Sequence, residues 1–246
     1  HMAQKFFDSY KSVYDSLGDL PKTMVPHAPY SVSKTLFRLL NETNAGKDSV
    51  TSIHNQETVD EDLLYQSGGG GFVGFWESFG FDMKHFQSTG EASVFYAMEH
   101  LDREHQVLFI HNTCMLEDHV RRTLQWNPRS FFVTCPNANL FIENHLPDYQ
   151  NFLNAGAQLC IGTDSLSSNW HLSMLEEVKT ILKYHSFLDL ETVLGWATWN
   201  GASALKLDGL GAFQQGFTPG VNWIQSVRMD AGKCRLQPDA RVRKIA

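Results

Sequence analysis

One pattern recurs in the sequence from about residue 20 to about residue 200: a short apolar, β-branched run, then a polar loop, then a helical segment. Such alternation predicts βαβ units, in which the strands lie parallel in one sheet and helices pack against it. The runs predicted to be strands are Thr23–Pro26, Val50–His54, Val107–His111, Phe131–Cys135 and Leu159–Gly162. The predicted fold class is therefore α/β.

The segments between these strands have the apolar spacing of amphipathic helices. Leu36, Leu39 and Leu40 share one helical face, and Ser33 is placed to cap the first turn of that helix. The other predicted helices begin at Ala3 or cover Glu117–Trp126, Leu172–Tyr184 and Leu190–Trp199.

A run of four glycines, Gly68–Gly71, interrupts the pattern and leads into the aromatic-rich segment Phe72–Phe81. We interpret it as a long βα loop with a helix of its own, and such loops often cover a site. A flexible hinge is an equally good interpretation. The aromatic rings of Trp76, Phe79 and Phe81 are suited to stack on a planar heterocycle, although helix packing is the commoner use of such spacing.

Three regions are predicted along the chain. Residues 1–2, His1-Met2, are interpreted as a cloning remnant, and residues 3–208 as the α/β region. Residues 209–246 change to Gly- and Pro-containing turns, with strand-like runs at Val221–Ile224 and Val242–Ile245. This last region is expected to be a short accessory β segment.

Composition excludes several classes of function. A net formal charge of −7, a pI near 5.8 and scattered basic residues leave no basic surface for nucleic acid. No apolar run approaches the ~20 residues that cross a bilayer, and no signal sequence is recognised, so no membrane partner is expected. The cysteines form no CxxC pair and are expected to be reduced thiols of a soluble cytoplasmic protein: Cys114, Cys135, Cys160 and Cys234.

Four side chains with metal-binding chemistry follow or end predicted strands: His27, His54, His111 and Asp164. In a β/α barrel the carboxyl ends of the strands form the active-site face. Imidazole and carboxylate are common ligands of catalytic zinc, which activates a water at its open position. Glu57 follows His54 by three residues and is placed to move protons beside such a ligand.

Each of these residues also has a structural interpretation. Asp164 is a possible cap of the following helix, and Glu57 a possible complement to a helix N-terminus. Most single histidines at such positions are structural, and we assign that role to the remaining candidates: His105, His119, His145, His171 and His185. The placement of the other residues at successive strand ends favours the metal site.

Five segments of the chain resemble motifs of the amidohydrolase superfamily, in its adenosylhomocysteine, aminofutalosine, cytosine and chlorinated-triazine deaminase and hydrolase branch. They follow the family's order across nearly the whole chain: Pro26-His27-Ala28-Pro29-Tyr30, His54-Asn55-Gln56-Glu57-Thr58, Phe109-Ile110-His111-Asn112, Cys135-Pro136-Asn137-Ala138-Asn139 and Gly162-Thr163-Asp164-Ser165-Leu166-Ser167-Ser168-Asn169. The resemblance implies a (β/α)8 TIM barrel in which these motifs end strands four to eight. Residues 3–208 are then the C-terminal part of that barrel.

The resemblance also implies a role for each matching residue. His54 would be a metal ligand, Glu57 the proton shuttle, and His111 the partner that orients the attacking water. Asp164 would bind the metal and take the proton of the water, and His27 would line the substrate pocket.

Asn169 also matches a substrate-pocket position of the family. The implied metal is zinc, with iron or another divalent ion as the alternative. The implied reaction is hydrolysis of a carbon–nitrogen bond outside peptides, most simply the deamination of an amino-substituted heterocycle. The implied substrate is thus a small molecule, which the sequence does not identify further.

The sequence departs from the family in one respect. The family's first strand ends in a His-x-His pair that supplies two further metal ligands, and this sequence contains no such pair. We therefore expect strands four to eight of the barrel without strands one to three. Such a piece would bind metal weakly and expose strand edges and apolar surface. We expect it to form a homo-oligomer or to associate with the missing half of the barrel.

Three rival interpretations remain at this stage. A binuclear relative would need a carboxylated lysine at the end of its fourth strand, whereas Lys22 lies at the start of the corresponding run. A barrel glycosidase would use Glu57 and Asp164 as paired carboxylates and would not need the histidines. An inactive barrel fragment would serve only as an oligomerising or structural piece.

Overall fold

The computed structural model describes residues 2–246, apart from the side chain of His85. Contacts divide the chain into two compact units: the first runs to Phe132 and includes Pro147–Ala157, and the second comprises Val133–Leu146 and Gln158–Ala246. Four of the strands form one parallel sheet in the order β1-β2-β3-β4. Sequence order and spatial order agree, as expected when each strand is followed by its own crossover.

The elements follow one another in chain order as α1 (Met2–Ser16), α2 (Lys34–Asn44), β1 (Val50–Asn55), α3 (Val59–Ser67), α4 (Gly71–Ser78), α5 (Ser93–His100), β2 (Gln106–His111), α6 (Glu117–Trp126), β3 (Ser130–Thr134), α7 (Pro136–Glu143), α8 (Tyr149–Asn154), β4 (Gln158–Ile161), α9 (Met174–Tyr184), α10 (Leu190–Gly195), α11 (Gly201–Ala204), β5 (Asn222–Asp230) and β6 (Lys233–Lys244). Short 3-10 turns cover Pro29–Ser31 and Met83–His85, and Trp196–Asn200 is π-helical. Every described helix is too short or too polar to cross a bilayer.

The first unit is built on the parallel pair β1 and β2. Their register places Ile53 opposite Phe109 and Asn55 opposite His111, so the two strands end side by side. Phe109 stacks on Phe132 at 5.9 Å between ring centroids, and all three apolar side chains are buried. Burying each of these side chains stabilises the fold by roughly 1.5–3 kcal/mol, and this packing fixes the positions of the strand ends.

Side-chain caps set the starts of the helices that follow the strands. The Ser33 hydroxyl accepts a hydrogen bond from the Leu36 N–H at 3.3 Å, which confirms the predicted cap of α2. Thr58 does the same for α3 by accepting from the Glu61 N–H at 3.1 Å. A lost cap of this kind costs about 1 kcal/mol.

The glycine run joins α3 to α4, which confirms a loop with a helix of its own. Gly68 ends α3 in the left-handed region, with a φ of 71°. The Gly71 N–H donates to the Asp60 carboxylate at 2.8 Å, and a Cβ on Gly71 would lie 2.7 Å from an oxygen of that carboxylate. The backbone thus approaches Asp60 too closely for a larger residue, which argues against a free hinge.

One predicted strand is wrong. In the described chain Thr23–Pro26 carries no strand pairing, so the parallel sheet has four strands and not five. The Asn44 side chain takes up both main-chain groups of Met24: its Oδ1 accepts the N–H at 3.4 Å, and its Nδ2 donates to the carbonyl at 2.7 Å. A side chain on α2 therefore replaces the strand partner that the apolar run suggested.

The second unit contains β4, the last helices and a hairpin. β5 and β6 pair antiparallel around the turn at Ala231 and Gly232, whose φ angles of 48° and 80° are those that a tight two-residue hairpin turn needs. A register shift between Gln225 and Val227 marks a bulge. Both strands are longer than the two short runs that the sequence predicted.

The predicted helix at Leu190–Trp199 is interrupted as well. α10 ends at Gly195, and the π-helical turn Trp196–Asn200 follows it. Asn200 lies at the end of that turn and donates from its side-chain nitrogen to the Leu159 carbonyl of β4 at 2.7 Å. The four cysteines lie within the described residues and form no disulfide there, which agrees with the predicted reduced thiols.

Candidate active site

His54 lies one residue before the end of β1, and the His27 carbonyl oxygen holds it. The backbone N–H of His54 lies 2.9 Å from that oxygen, and its ring Nδ1 lies 2.8 Å from it. Because a carbonyl oxygen only accepts, Nδ1 carries the ring proton and Nε2 carries the lone pair. Such a carbonyl partner orients a histidine that binds metal through Nε2.

Three imidazole rings follow one another at this end of the first unit. The His27 and His54 ring centroids are 4.7 Å apart, and those of His54 and His111 are 5.2 Å apart. Ser31 Oγ lies 2.9 Å from Nδ1 of His27, which is an exposed side chain. The structure therefore brings these three predicted site residues together.

Glu57 faces His111. Oε1 of Glu57 lies 3.5 Å from Nε2 of His111, the last residue of β2. Glu57 is 9 % exposed and His111 is fully buried, so water screens the pair only weakly. The pair thus places side by side a carboxylate and an imidazole, two groups that serve as general acids and bases.

The backbone is strained at the same strand ends. Gln56, His111 and Asn112 adopt positive φ angles of 43°, 71° and 59°. Residues with a Cβ rarely adopt this conformation, and such strain concentrates at functional sites. Hydrogen bonds join the two loops: the Asn112 N–H donates to the Asn55 carbonyl, and the Asn55 side-chain amide donates to Asn112 Oδ1, both at 3.0 Å.

A buried carboxylate, Glu61, lies beneath the loop that carries Glu57. It accepts hydrogen bonds from the N–H groups of Gln56 and Glu57 and from the Ser93 hydroxyl. Burial raises the pKa of Glu61 to about 7, because the hydrogen bonds offset only part of the lost solvation. Burial, and then the negative charges of Glu57 and Glu61, also raise the pKa of Tyr30.

Asp164 and Asn169 belong to the second unit. Asp164 follows β4 with a φ of 55° and accepts a hydrogen bond from the Ser168 hydroxyl. The interpretation of Asp164 as a helix cap is wrong, because the next helix begins at Met174. Asn169 is 6 % exposed, and its Nδ2 donates to the Thr163 carbonyl at 2.5 Å.

A second buried carboxylate, Glu177 on α9, ties Asn169 to the loop after β3. It accepts from Nδ2 of Asn169 at 2.7 Å, from the Asn137 N–H at 2.9 Å and from Asn137 Nδ2 at 3.0 Å. Burial raises the pKa of Glu177, while these donors oppose the shift. One carboxylate therefore holds both the loop after β3 and the loop after β4 in place.

Two histidines predicted to be structural have structural partners. Nδ1 of His105 lies 3.1 Å from the Ser49 hydroxyl, and Nδ1 of His119 lies 3.2 Å from the Gln56 side-chain amide. Lys22 donates from its ammonium group to main-chain carbonyls at the end of α1. This lysine is thus bound away from the histidines, which argues against the binuclear interpretation.

Sequence reasoning missed the residues that support the site. Glu61 carried a usable signal, because Thr58-Val59-Asp60-Glu61 fits the capping-box pattern and predicts both the helix start and a carboxylate that reaches back. Ser93 and Glu177 carried none, since most of their partners are distant in the sequence.

Known proteins that are similar to this chain include several that are named as deaminases. The model of the Amidohydrolase family matches residues 22–222. The adenosine deaminase of Helicobacter pylori is 30% identical over 195 residues, which cover 77% of this chain and 46% of that protein.

Solved structures with a similar fold include the aminofutalosine deaminase of Helicobacter pylori, with a TM-score of 0.77 and 26% identity over 89% of this chain and 55% of that one. An adenosine deaminase from Xanthomonas campestris, solved with bound zinc, has a TM-score of 0.63 and 22% identity over 86% of this chain and 46% of that one. The chain spans about half the length of the curated relatives it matches.

Proposed function

Because the chain belongs to the Amidohydrolase family, we propose that it forms part of a metal-dependent hydrolase that removes an amino group from a heterocycle. The observation that carries this proposal is the orientation of His54, whose Nδ1 is held by the His27 carbonyl at 2.8 Å so that Nε2 presents a lone pair. The relatives named as deaminases of adenosine and of aminofutalosine favour an adenosine-like substrate.

The donor set fits zinc, with another divalent ion such as iron as the alternative. His54 and Asp164 would hold the metal, because each comes at the carboxyl end of a strand of the same parallel sheet. An imidazole and a carboxylate are ordinary zinc ligands. Zinc, when bound, supplies a Lewis acid that activates water at neutral pH.

Glu57 and His111 would carry the proton transfers. Glu57 is the proposed shuttle, since its nearly buried carboxylate reaches toward the site from the loop after β1. His111 would orient the attacking water, and Asp164 would accept its proton. His27 and Asn169 would line the substrate pocket. The packing of His54 and His111 beside Glu57 favours this mechanism over a glycosidase with two carboxylates.

We also propose that the four parallel strands belong to a (β/α)8 barrel, as in the fold neighbours, with residues 209–246 as an accessory β segment. Further ligands and strands would come from sequence outside this chain, which spans about half of its relatives. Association with the complementary half of the barrel would supply them, whereas a homo-oligomer would only cover unpaired strand edges.

The test measures zinc content by plasma mass spectrometry and ammonia release from adenosine, on the full-length natural protein that carries this sequence. We expect His54→Ala to lose zinc and activity together. Glu57→Gln should keep zinc and lower kcat by about 10²–10⁴-fold, the range typical of a lost general acid or base. The control is His145→Ala, an exposed histidine of the second unit, which should change neither quantity.

Wild-type protein without a stoichiometric divalent metal ion, or a Glu57→Gln variant with unchanged kcat, would overturn the proposal. Adenosine is the first probe because one of the relatives is named as an adenosine deaminase. Hydrolysis of an amino-triazine in its place would support the reaction class and correct the substrate.

A further inference from the structure

Two consecutive main-chain N–H groups point at one buried carboxylate in the first unit. The Gln56 N–H donates to Oε1 of Glu61 at 2.9 Å, and the Glu57 N–H donates to Oε2 at 3.1 Å. Both oxygens are therefore used, one for each N–H. Glu57 is the residue that the proposed function uses to move protons, so its own main chain is attached directly to Glu61.

A second helix anchors this carboxylate from the other side. The hydroxyl of Ser93, the first residue of α5, donates to Oε1 of Glu61 at 2.6 Å. The Ser93 N–H donates to the neighbouring Asp62 carboxylate at 2.9 Å, and that carboxylate also accepts from the Gln56 side-chain amide at 2.7 Å. The loop after β1 is thus fixed to the starts of both α3 and α5.

The role of Glu61 differs from that of an ordinary helix cap. In a capping box, the carboxylate three residues into a helix returns to the N–H of the capping residue, which here is Thr58. The Glu61 side chain instead reaches past Thr58 to Gln56 and Glu57. Thr58 caps the helix with its own hydroxyl. Glu61 therefore holds the loop that precedes the helix.

The loop needs such an attachment. Gln56 has a φ of 43°, a conformation that a residue with a Cβ does not keep without support from its surroundings. Glu61 itself is fully buried, and burying a carboxylate opposes folding unless donors surround it. The strained turn supplies two of the three donors to Glu61, so the turn and the carboxylate stabilise each other.

We infer that Glu61 and Ser93 are positioning residues: together they hold the main chain of Glu57 so that its carboxylate stands against His111. The inference rests on the proposed function, because it concerns the placement of the proposed proton shuttle. The 3.5 Å separation of Glu57 Oε1 and His111 Nε2 then depends on a carboxylate that is itself fully buried.

The test uses the full-length natural protein loaded with zinc and compares Glu61→Gln, Ser93→Ala and Ser33→Ala. Glutamine keeps the shape of the side chain but replaces one of the two acceptor oxygens by a donor. Ser33→Ala removes the cap of α2, where the Ser33 hydroxyl accepts from the Leu36 N–H and not from this loop, so it is the matched control for lost stability.

For Glu61→Gln we expect kcat to fall on the order of 10- to 100-fold while KM changes less than about twofold, because misplacing a reacting group weakens the transition state and not substrate binding. Amide hydrogen exchange, read by mass spectrometry, should speed up across residues 54–58. Ser93→Ala should show the same pattern with a smaller, several-fold loss of kcat. Ser33→Ala should lower thermal stability and leave kcat and exchange in this segment unchanged.

The outcomes distinguish this inference from the proposed function on which it rests. Faster exchange at residues 54–58 with wild-type kcat in Glu61→Gln would overturn the positioning role and leave the deaminase proposal standing. If Glu61→Gln fails to fold, Ser93→Ala decides in the same way. A fully active Glu57→Gln variant would overturn the proposed function, and the positioning inference with it.

Discussion

Glu61 in the first unit and Glu177 in the second are both fully buried carboxylates on a helix that follows a strand-end loop, and each accepts three hydrogen bonds. Their donors differ in kind. Glu61 binds two main-chain N–H groups and a hydroxyl, whereas Glu177 binds one main-chain N–H and two side-chain amides, those of Asn137 and Asn169.

The difference teaches how a buried charge is kept in place. Main-chain donors are fixed by the fold and cannot turn to another acceptor, so Glu61 and its turn depend strictly on each other. Side-chain amides can rotate, and Nδ2 of Asn169 also donates to the Thr163 carbonyl at 2.5 Å. The Glu61 arrangement should therefore be the more rigid of the two and the more costly to remove.

The largest expected effect is on stability when each carboxylate is removed. We expect Glu61→Ala to lower the free energy of unfolding by roughly 3–5 kcal/mol, because two main-chain donors are left buried without an acceptor at about 1–3 kcal/mol each and a cavity forms. Glu177→Ala should cost about 2 kcal/mol, since it leaves only one main-chain donor, the Asn137 N–H, without its acceptor. Denaturant unfolding of both variants measures the difference. Equal losses of unfolding free energy would contradict the view that main-chain donors make the Glu61 arrangement the more costly to remove.

The next effect is the dependence of stability on pH. Because the pKa of Glu61 is about 7 in the fold against an ordinary 4.5, the folded protein holds a proton between these values that the unfolded chain releases. The free energy of unfolding should therefore fall by roughly 3 kcal/mol as pH rises from 4.5 to 7, and level off above that. The titratable groups that face Glu61 are Asp62, which adds to the shift, and the hydroxyls of Tyr30 and Tyr65, which stay neutral in this range.

Denaturant unfolding at several pH values between 4.5 and 8 checks this slope. Glu61→Gln should flatten it, because glutamine does not titrate. Glu177→Gln should flatten it in the same direction, since burial raises the pKa of Glu177 too. A wild-type slope of the opposite sign that survives in Glu61→Gln would show that other carboxylates control acid stability.

The sequence was sufficient for elements whose partners are local. The strands β1 and β2 and the helix at Glu117–Trp126 lie where the apolar spacing predicted them. Thr23–Pro26 was predicted wrongly because the Asn44 side chain, 20 residues away, takes up the main-chain groups of Met24. The bulge near Ser226, with a φ of 57°, interrupts the alternation of β5, and so the hairpin was predicted too short.

The candidate site likewise contains residues that the sequence reveals and supporting groups that it does not. His54, Glu57 and His111 were found because strand ends are visible in a sequence, and the structure brings them together in the first unit. The groups that hold them are largely main-chain atoms, such as the His27 carbonyl, which carry no sequence signal. Glu177 was missed because its donors lie 40 and 8 residues away.

The smallest effect concerns the helices that carry the two carboxylates. Thr58 caps α3 through its hydroxyl, whereas Ser173, at the same position of α9, is joined to the first turn through its main-chain carbonyl in the described contacts. Thr58→Ala should therefore lower the free energy of unfolding by about 1 kcal/mol, and Ser173→Ala should change it by less than about 0.5 kcal/mol. Thermal and denaturant unfolding of the two variants side by side gives the measurement. A loss in Ser173→Ala as large as that in Thr58→Ala would show that the hydroxyl of Ser173 caps α9 in solution, and that the two helices are held alike.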